Sequence, residues 1–371
     1  MDNKLIIAAA GSGKTTELIR DSLQNNEIPT LITTYTEANA NEIRNKYIKE
    51  VGCVPSNITI QTWFSLLIQH GIKPFQSYMF EEKVMGMILV SQQSAFRFRT
   101  KKGFPVYWRE EEFYKHYFTK DMKIYSDKLS KLVCKLNTVS EGKVVDRVSK
   151  MYPTIFIDEC QDLAGYDLDI IKLLSIHVSK LRLVCDPRQV TYLTHNERKY
   201  KKYRNGLIQD FIANECKKID FVIDRDSLSH SFRCNQLICD FSNKLYPNIH
   251  QCDSKQSKST EHDGVFLVNI KDKEKYLNAF NPIQLRWSIK NKSINPDFKI
   301  YNFGQSKGLT FERVLIYPTE NMINWLKDHN SELNDETRAK FYVGLTRAKY
   351  SVGIVCDTTL EYDMNGIEIF E

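Results

Sequence analysis

The segment AAAGSGKTT, residues 8–16, contains the residue types that a phosphate-binding loop requires. It lies between a short apolar run and a helix-compatible segment, so it is predicted to join a strand to a helix N-terminus. Glycines there allow successive backbone N–H groups to face an anion, and the helix dipole adds positive potential. Lys14 can then reach the β- and γ-phosphates, and the Thr15 hydroxyl can ligate Mg²⁺. The predicted nucleotide-binding residues are Ala10, Gly11, Ser12, Gly13, Lys14, Thr15 and Thr16. A glycine turn beside an unrelated lysine is the alternative.

A second candidate site is TIFIDECQD, residues 154–162, which is predicted to be a buried strand with two carboxylates at its end. Asp158 can hold Mg²⁺ through water, and Glu159 can polarise a water for in-line attack on a γ-phosphate. An isolated acidic pair after a strand can also be a helix N-cap. Downstream of a phosphate loop, the pair favours phosphoryl-transfer chemistry.

Hydroxyl and aromatic residues follow two further predicted strands, residues 29–34 and 58–62. The carboxyl ends of strands are where open α/β sheets bind their ligands. Tyr35 and Thr36 after one strand, and Thr62 and Trp63 after the other, suit a bound nucleic acid strand, with hydroxyls to phosphate and rings to bases. Each pair, taken alone, is also typical of a capped turn.

Composition limits the class of protein. The chain has 371 residues, 42% of them hydrophobic and 26% charged, which predicts a globular protein of two domains. The net charge of +6 permits a polyanionic partner without requiring one. Nine cysteines without a CxxC pair favour reduced thiols. Neither a secretory leader nor a membrane-length apolar segment is recognised, so we expect no membrane association and a cytoplasmic location.

The segment from residue 75 to 148 differs in character, because it is rich in Lys, Arg, Tyr and Phe. It is predicted to be a mostly helical insertion. Basic residues alternating with aromatic ones, as in AFRFRTKKGFPVYWR (95–109), suit a single-strand groove in which cations contact phosphates and rings stack on bases. A solvated basic face over an aromatic mini-core is an equally good interpretation.

Eight motifs in the correct order resemble those of the UvrD-like superfamily 1 helicases and translocases. The first four are AAAGSGKTT, TYTEANANEIRNK, TIQTWFS and DECQD. The remaining four are LVCDPRQVTY (183–192), SFRC (231–234), GQSKGLTF (304–311) and FYVGLTRAK (341–349). They span nearly the whole chain. The interval from residue 247 to 299 is too short for the accessory domain of larger relatives, so the resemblance is to a compact form.

The resemblance implies roles for residues outside the first loop. Gln189 matches a glutamine that senses the γ-phosphate, and Arg233 and Arg347 match two arginines that reach it from the second domain. Phe232 replaces a tyrosine that stacks on adenine. Nucleotide and nucleic-acid contacts are further implied for three positions: Gly308 on the nucleotide side, and Tyr192 and Lys307 on the nucleic-acid side. Thr194 and His195 stand where the family has a tryptophan and an arginine, so a base-stacking wedge is missing.

The predicted fold class is therefore α/β, with two RecA-like parallel-sheet domains. The first would comprise residues 1–74 and 149–215, interrupted by the insertion 75–148, and the second would comprise residues 216–371. The resemblance implies an ATP hydrolase that uses Mg²⁺ and moves 3′ to 5′ along single-stranded DNA. The alternative is a regulatory ATPase subunit that controls a partner nuclease, as in Gabija-type antiviral defence systems.

Overall fold

The computed structural model of the chain describes residues 2–24, 27–195, 197–291 and 293–371. Its strands are β1 (Asp2–Ile7), β2 (Thr30–Thr34), β3 (Ile58–Thr62), β4 (Gly86–Ile88), β5 (Phe96–Arg99), β6 (Pro105–Tyr107), β7 (Lys123–Tyr125), β8 (Thr154–Asp158), β9 (Lys180–Cys185), β10 (Val222–Asp224), β11 (His230–Ser231), β12 (Asp253–Ser254), β13 (Gly264–Asn269), β14 (Ile283–Arg286), β15 (Ile300–Asn302), β16 (Phe311–Ile316), β17 (Ala348–Cys356) and β18 (Glu368–Ile369).

The α-helices of the described residues are α1 (Lys14–Leu23), α2 (Glu37–Val51), α3 (Trp63–Leu66), α4 (Phe113–Tyr117), α5 (Leu129–Val139), α6 (Lys143–Met151), α7 (Tyr166–His177), α8 (Ile208–Glu215), α9 (Gln236–Asn243), α10 (Lys273–Phe280), α11 (Glu320–Lys327) and α12 (Asp335–Leu345). A π-helical segment, Leu67–Ile72, continues α3. Side-chain caps fix several helix starts: Asn235, Thr319 and Asn334 each accept a hydrogen bond from a backbone N–H in the first turn.

Two six-stranded sheets organise the chain. The first has the strand order β10-β1-β9-β8-β2-β3, and the second has the order β15-β14-β16-β17-β13-β18. The pairs β2–β3, β2–β8 and β8–β9 in the first sheet are parallel, as are the neighbouring pairs of the second sheet. Parallel sheets need cover on both faces, which explains the near-continuous apolar strands such as TIFI and FLV. The predicted α/β fold class with two parallel sheets is confirmed.

Contacts divide the chain into two compact units. The first contains the residues up to Ile6, Thr15–Cys185 and Leu193–Ile223, and the second contains Ile7–Lys14, Asp186–Tyr192 and Asp224–Glu371. The phosphate-loop segment therefore groups with the second unit, whereas the sequence placed it in the first domain. The limits 1–74, 149–215 and 216–371 for the two domains stay a prediction.

The segment 75–148 contains more strand than the sequence predicted. Its second part is helical, with α5 and the start of α6, but its first part forms two small sheets, the parallel pair β4–β7 and the antiparallel hairpin β5–β6. Short, isolated strand pairs lack the long hydrophobic alternation that reveals a strand in a sequence.

Residues 247–299 form the strands β12 to β14 and the helix α10, of which β13 and β14 belong to the second sheet. A buried apolar core that includes Leu267, Leu285 and Ile316 lies on one face of that sheet, and a smaller one that includes Val268 and Leu315 lies on the other. None of the helices in the described ranges is long and apolar enough to span a membrane.

Candidate active site

The phosphate loop connects β1, which ends at Ile7, to α1, which begins at Lys14. Gly11 and Gly13 adopt φ values of +74° and +87°, which are favourable only for glycine. A methyl group built on Gly13 meets no atom within 4 Å, so this side of the loop is open. The buried Ser12 hydroxyl has no hydrogen-bond partner among the described residues. An open turn of amides with an unsatisfied hydroxyl fits an anionic ligand.

The loop packs against the SFRC motif within the second unit. The Phe232 N–H donates to the Gly11 carbonyl over 3.0 Å, and the Ala9 N–H donates to the Leu228 carbonyl over 2.8 Å. A methyl group on Gly11 would lie 2.5 Å from Cβ of Arg233 and 2.8 Å from Oγ of Ser231. The absence of a side chain at Gly11 therefore allows Arg233 to lie directly beside the loop.

Both predicted arginines bind the C-terminal end of α12. Arg233 Nη1 donates to the Thr346 carbonyl over 3.1 Å, and Arg347 Nε donates to the Val343 carbonyl over 3.2 Å. The last carbonyls of a helix lack intrahelical donors and carry partial negative charge, so guanidinium groups stabilise them. The end of this helix thus positions two cations that are 114 residues apart in sequence.

Gln189 is held between opposite charges. Its Nε2 donates to Asp186 Oδ2 over 2.7 Å, and its Oε1 accepts from Arg347 Nη2 over 3.0 Å. All three side chains are buried. Because Asp186 accepts from the NH2 group and Arg347 donates to the oxygen, the orientation of the Gln189 carboxamide is defined by these two charged partners.

Arg188, which no motif predicted to be a site residue, extends this network towards the phosphate loop. Its Nε donates to Asp186 Oδ1 over 2.8 Å, its Nη2 reaches the Ala8 carbonyl at 3.4 Å, and the guanidinium lies 5.1 Å from the ring centre of Tyr342. Burial favours its neutral form, but the Asp186 carboxylate outweighs that effect and raises the pKa of Arg188. A charged residue beside Gln189, three residues after the end of a buried strand, was the available signal.

The acidic box lies in the first unit at the end of β8. Asp158 is buried and its Oδ1 accepts from the Glu159 N–H over 3.0 Å, while the Gln161 amide donates to Glu159. Glu159 has φ +57° and ψ +38°, a left-handed conformation that costs a non-glycine residue about 1–2 kcal/mol. Such strain occurs at functional positions, where it directs a side chain that a relaxed turn would place elsewhere.

The predicted nucleic-acid residues of the first unit lie on one sheet edge, since Thr34 of β2 pairs with Thr62 of β3. Thr36 and Thr62 act as N-caps, accepting from the backbone N–H groups of Asn39 and Ser65 over 3.1 and 3.2 Å. Tyr35 is half-buried, with its ring 5.5 Å from that of Phe64. The structure therefore shows these hydroxyls as helix caps, and a second contact to phosphate stays a prediction.

Trp63 is buried, contrary to the prediction. Only 1% of its surface is exposed, and its indole Nε1 donates to Asp167 Oδ1 over 2.7 Å. The predicted stacking of Trp63 on a base is therefore wrong for this conformation. A large ring that follows a strand is buried when a partner for its N–H lies within the fold, and the sequence did not reveal that partner.

Asp167 is that partner and the centre of a buried network in the first unit. Its carboxylate also accepts from the hydroxyls of Ser130 and Thr194, and His195 Nε2 lies 3.6 Å away. The two residues that replace the family's wedge are therefore core residues. The hydroxyls of Ser130 and Thr194 and the indole of Trp63 satisfy the buried carboxylate, and His195 packs close to it.

The remaining predicted residues lie in the second unit. Tyr192 is 38% exposed and packs on Gly304, where a methyl group would come within 2.8 Å of its Cζ. Lys307 is half-buried, and Gly308 has φ +86°. Phe232 is 60% exposed, so its ring face is accessible to a base. The structure thus brings Tyr192 next to the GQSKG segment, which the sequence assigned to the same ligand.

Comparisons with known proteins give one family. The model of the UvrD/REP helicase N-terminal domain matches residues 76–195, about a third of the chain. This span includes the acidic box and Gln189, while the phosphate loop, Arg233 and Arg347 lie outside it. No curated protein matches the sequence.

Solved structures similar to the chain include viral helicases. Arterivirus nonstructural protein 10 has 13% identity and a TM-score of 0.46 over 95% of this chain and 59% of its own. A complex of arterivirus nonstructural protein 10 with DNA has 15% identity and a TM-score of 0.45 over 95% and 61%. A PRRSV helicase has 15% identity and a TM-score of 0.44 over 98% and 55%. The chain thus spans less than two thirds of the length of these proteins.

The family match covers the segment that carries the acidic box and the glutamine motif in the predicted order. Residues 76–195 therefore have the signature of a UvrD/REP helicase N-terminal domain, which confirms the predicted resemblance of the chain to the UvrD-like helicases of superfamily 1.

Proposed function

We propose that the chain is an ATP-dependent translocase or helicase of the UvrD type, stimulated by single-stranded DNA. The observation that carries the proposal is the convergence, within one compact unit, of the phosphate loop, Gln189, Arg233 and Arg347. A buried amide and two guanidinium groups, in the same unit as an open loop of backbone amides, suit the γ-phosphate of a nucleotide. In this assignment Lys14 contacts the β- and γ-phosphates.

Arg347 and Gln189 are hydrogen-bonded to each other in the present conformation. A γ-phosphate offers both side chains a charged acceptor, which makes a stronger hydrogen bond than a neutral amide oxygen. Nucleotide binding is therefore expected to exchange this bond for contacts to phosphate. That exchange makes the conformation of the α12 end depend on the nucleotide, which is what a motor requires.

Thr15 and Asp158 have the hydroxyl and carboxylate oxygens that Mg²⁺ prefers, and we assign them as its ligands. When bound, Mg²⁺ neutralises charge on the phosphates during transfer. Glu159 is assigned as the residue that orients and deprotonates the attacking water, since its carboxylate follows Asp158 directly. The strained backbone of Glu159 supports a dedicated orientation of that side chain.

ATP hydrolysis measured against increasing single-stranded and duplex DNA tests the proposal. Lys14→Ala and Glu159→Gln are expected to lower turnover by at least about 100-fold, since each removes a group that acts on the transition state. Lys49→Ala and Glu50→Gln, which change the same residue types on the exposed end of α2, are the matched controls. Equal turnover with and without DNA would contradict the motor assignment.

Strand displacement with a 3′ or a 5′ overhang then tests direction, and we expect 3′ to 5′ movement. DNA-stimulated hydrolysis without displacement would instead favour the regulatory ATPase subunit that acts on a partner nuclease. Co-purification of a nuclease with the chain would be a further result in its favour.

A further inference from the structure

The hairpin formed by β5 and β6 exposes an unusual surface in the first unit. The strands pair antiparallel, with Phe96 opposite Tyr107 and Arg99 opposite Pro105. The connecting turn is ordered: the Thr100 N–H donates to the Phe104 carbonyl over 2.9 Å, and Gly103 has φ +82°. All four residues of β5 are exposed to solvent. We call residues 96–107 the Phe-Arg hairpin.

Three phenylalanines of the Phe-Arg hairpin are exposed although the rest of the segment has an aromatic core. Phe96, Phe98 and Phe104 are 53%, 45% and 67% exposed, whereas Phe80 and Tyr117 are almost fully buried. The aromatic mini-core exists, but it is formed by other residues. Exposing several large rings on a two-stranded hairpin lowers stability and is a feature of binding surfaces.

The charge of the Phe-Arg hairpin and its flanking residues favours an anionic partner. Residues 84–109 contain five Lys and Arg residues and no Asp or Glu. The Arg97 guanidinium lies 4.3 Å from the ring centre of Trp108 and 5.4 Å from that of Phe98, so the cation is held against ring faces. Cations attract phosphates, and ring faces and guanidinium planes stack on unpaired bases.

We propose that the Phe-Arg hairpin binds single-stranded DNA by base stacking on Phe98 and Phe104 and by phosphate contacts from Arg97 and Arg99. The inference rests on the proposed function, because it assigns a second contact for the same substrate. Binding of a protein by apolar contacts would not require the cations that alternate with the rings, and a duplex would hide the base faces that exposed rings can stack on. The uniform positive charge and the alternation of rings with cations favour unpaired nucleic acid.

Binding of the full chain to a fluorescent oligo-dT, followed by anisotropy at several salt concentrations, tests this proposal. Phe98→Ala with Phe104→Ala is expected to raise Kd by at least about tenfold, with an unchanged salt slope, because each stacked base contributes substantially to affinity. Replacing the same two residues with Leu should weaken binding equally, whereas Trp should retain it. Ile48→Ala with Lys49→Gln, which removes exposed apolar and basic groups from α2, should leave Kd unchanged.

Arg97→Gln with Arg99→Gln is expected to reduce the salt slope by about 0.7 for each phosphate that the variant no longer neutralises. Full affinity in the Leu variant would overturn the stacking proposal and indicate an apolar surface for a protein partner. If the hairpin variants bind duplex DNA more weakly but bind single-stranded DNA as tightly as the wild-type chain does, the proposal is overturned in favour of a duplex contact. If the wild-type chain binds DNA and the hairpin variants bind it equally, this inference fails alone; if the wild-type chain neither binds DNA nor responds to it, the proposed function fails as well.

Discussion

Replacing Gly11 with alanine would place a methyl group where the structure has no room. The residue has φ +74°, a conformation that costs an alanine about 1–2 kcal/mol. The new carbon would also lie 2.5 Å from Cβ of Arg233 and 2.8 Å from Oγ of Ser231, neither of which is the flexible end of a long side chain. Overpacking of this kind costs about 1–3 kcal/mol more. We therefore expect Gly11→Ala to destabilise the chain by about 2–5 kcal/mol.

Gly13→Ala is the matched control, because Gly13 has φ +87° and open space around it. It should cost only the conformational energy, about 1–2 kcal/mol. Thermal unfolding of the nucleotide-free chain measures both, and at about 1 °C per kcal/mol for a chain of 371 residues the Tm of Gly11→Ala should lie at least about 1 °C below that of Gly13→Ala. Equal Tm values would refute the close packing of the loop on Arg233.

Three further outcomes are expected. Asp167→Ala should lower the free energy of unfolding by at least about 3 kcal/mol in urea denaturation, because several buried donors lose their acceptor, whereas the partly exposed Asp169→Ala should cost less. Arg188→Lys should lower kcat/KM for ATP by about tenfold, because an ammonium cannot span the Asp186 carboxylate and the Ala8 carbonyl that the guanidinium reaches. The control Arg182→Lys changes another buried arginine and should alter Tm but not kcat/KM. Burial between two aromatic rings lowers the pKa of His262 to about 4, so the fold favours its neutral form. The free energy of unfolding should therefore fall as the pH drops from 6.5 to 4. His262→Phe should remove this part of the pH dependence, measured by urea denaturation at several pH values.

Most elements near the site could be predicted from local sequence. The strands that end at Thr34, Thr62, Asp158 and Cys185 lie where their apolar runs end. The hairpin of residues 96–107 was not predicted, because β5 alternates Phe with Arg, is exposed on both faces and therefore shows no buried side, and β6 has only three residues.

The local sequence by itself determined where the phosphate loop lies, where β8 ends at its two carboxylates, and which family the motifs resemble. These features depend on residues that are close in the chain, so spacing and residue type are sufficient to define them. Only the tertiary structure decided that Trp63 and His195 are buried around a carboxylate, and that Arg347 binds Gln189, 158 residues away. Burial and charge pairing arise from contacts between distant segments, and no local pattern encodes which partner will be present.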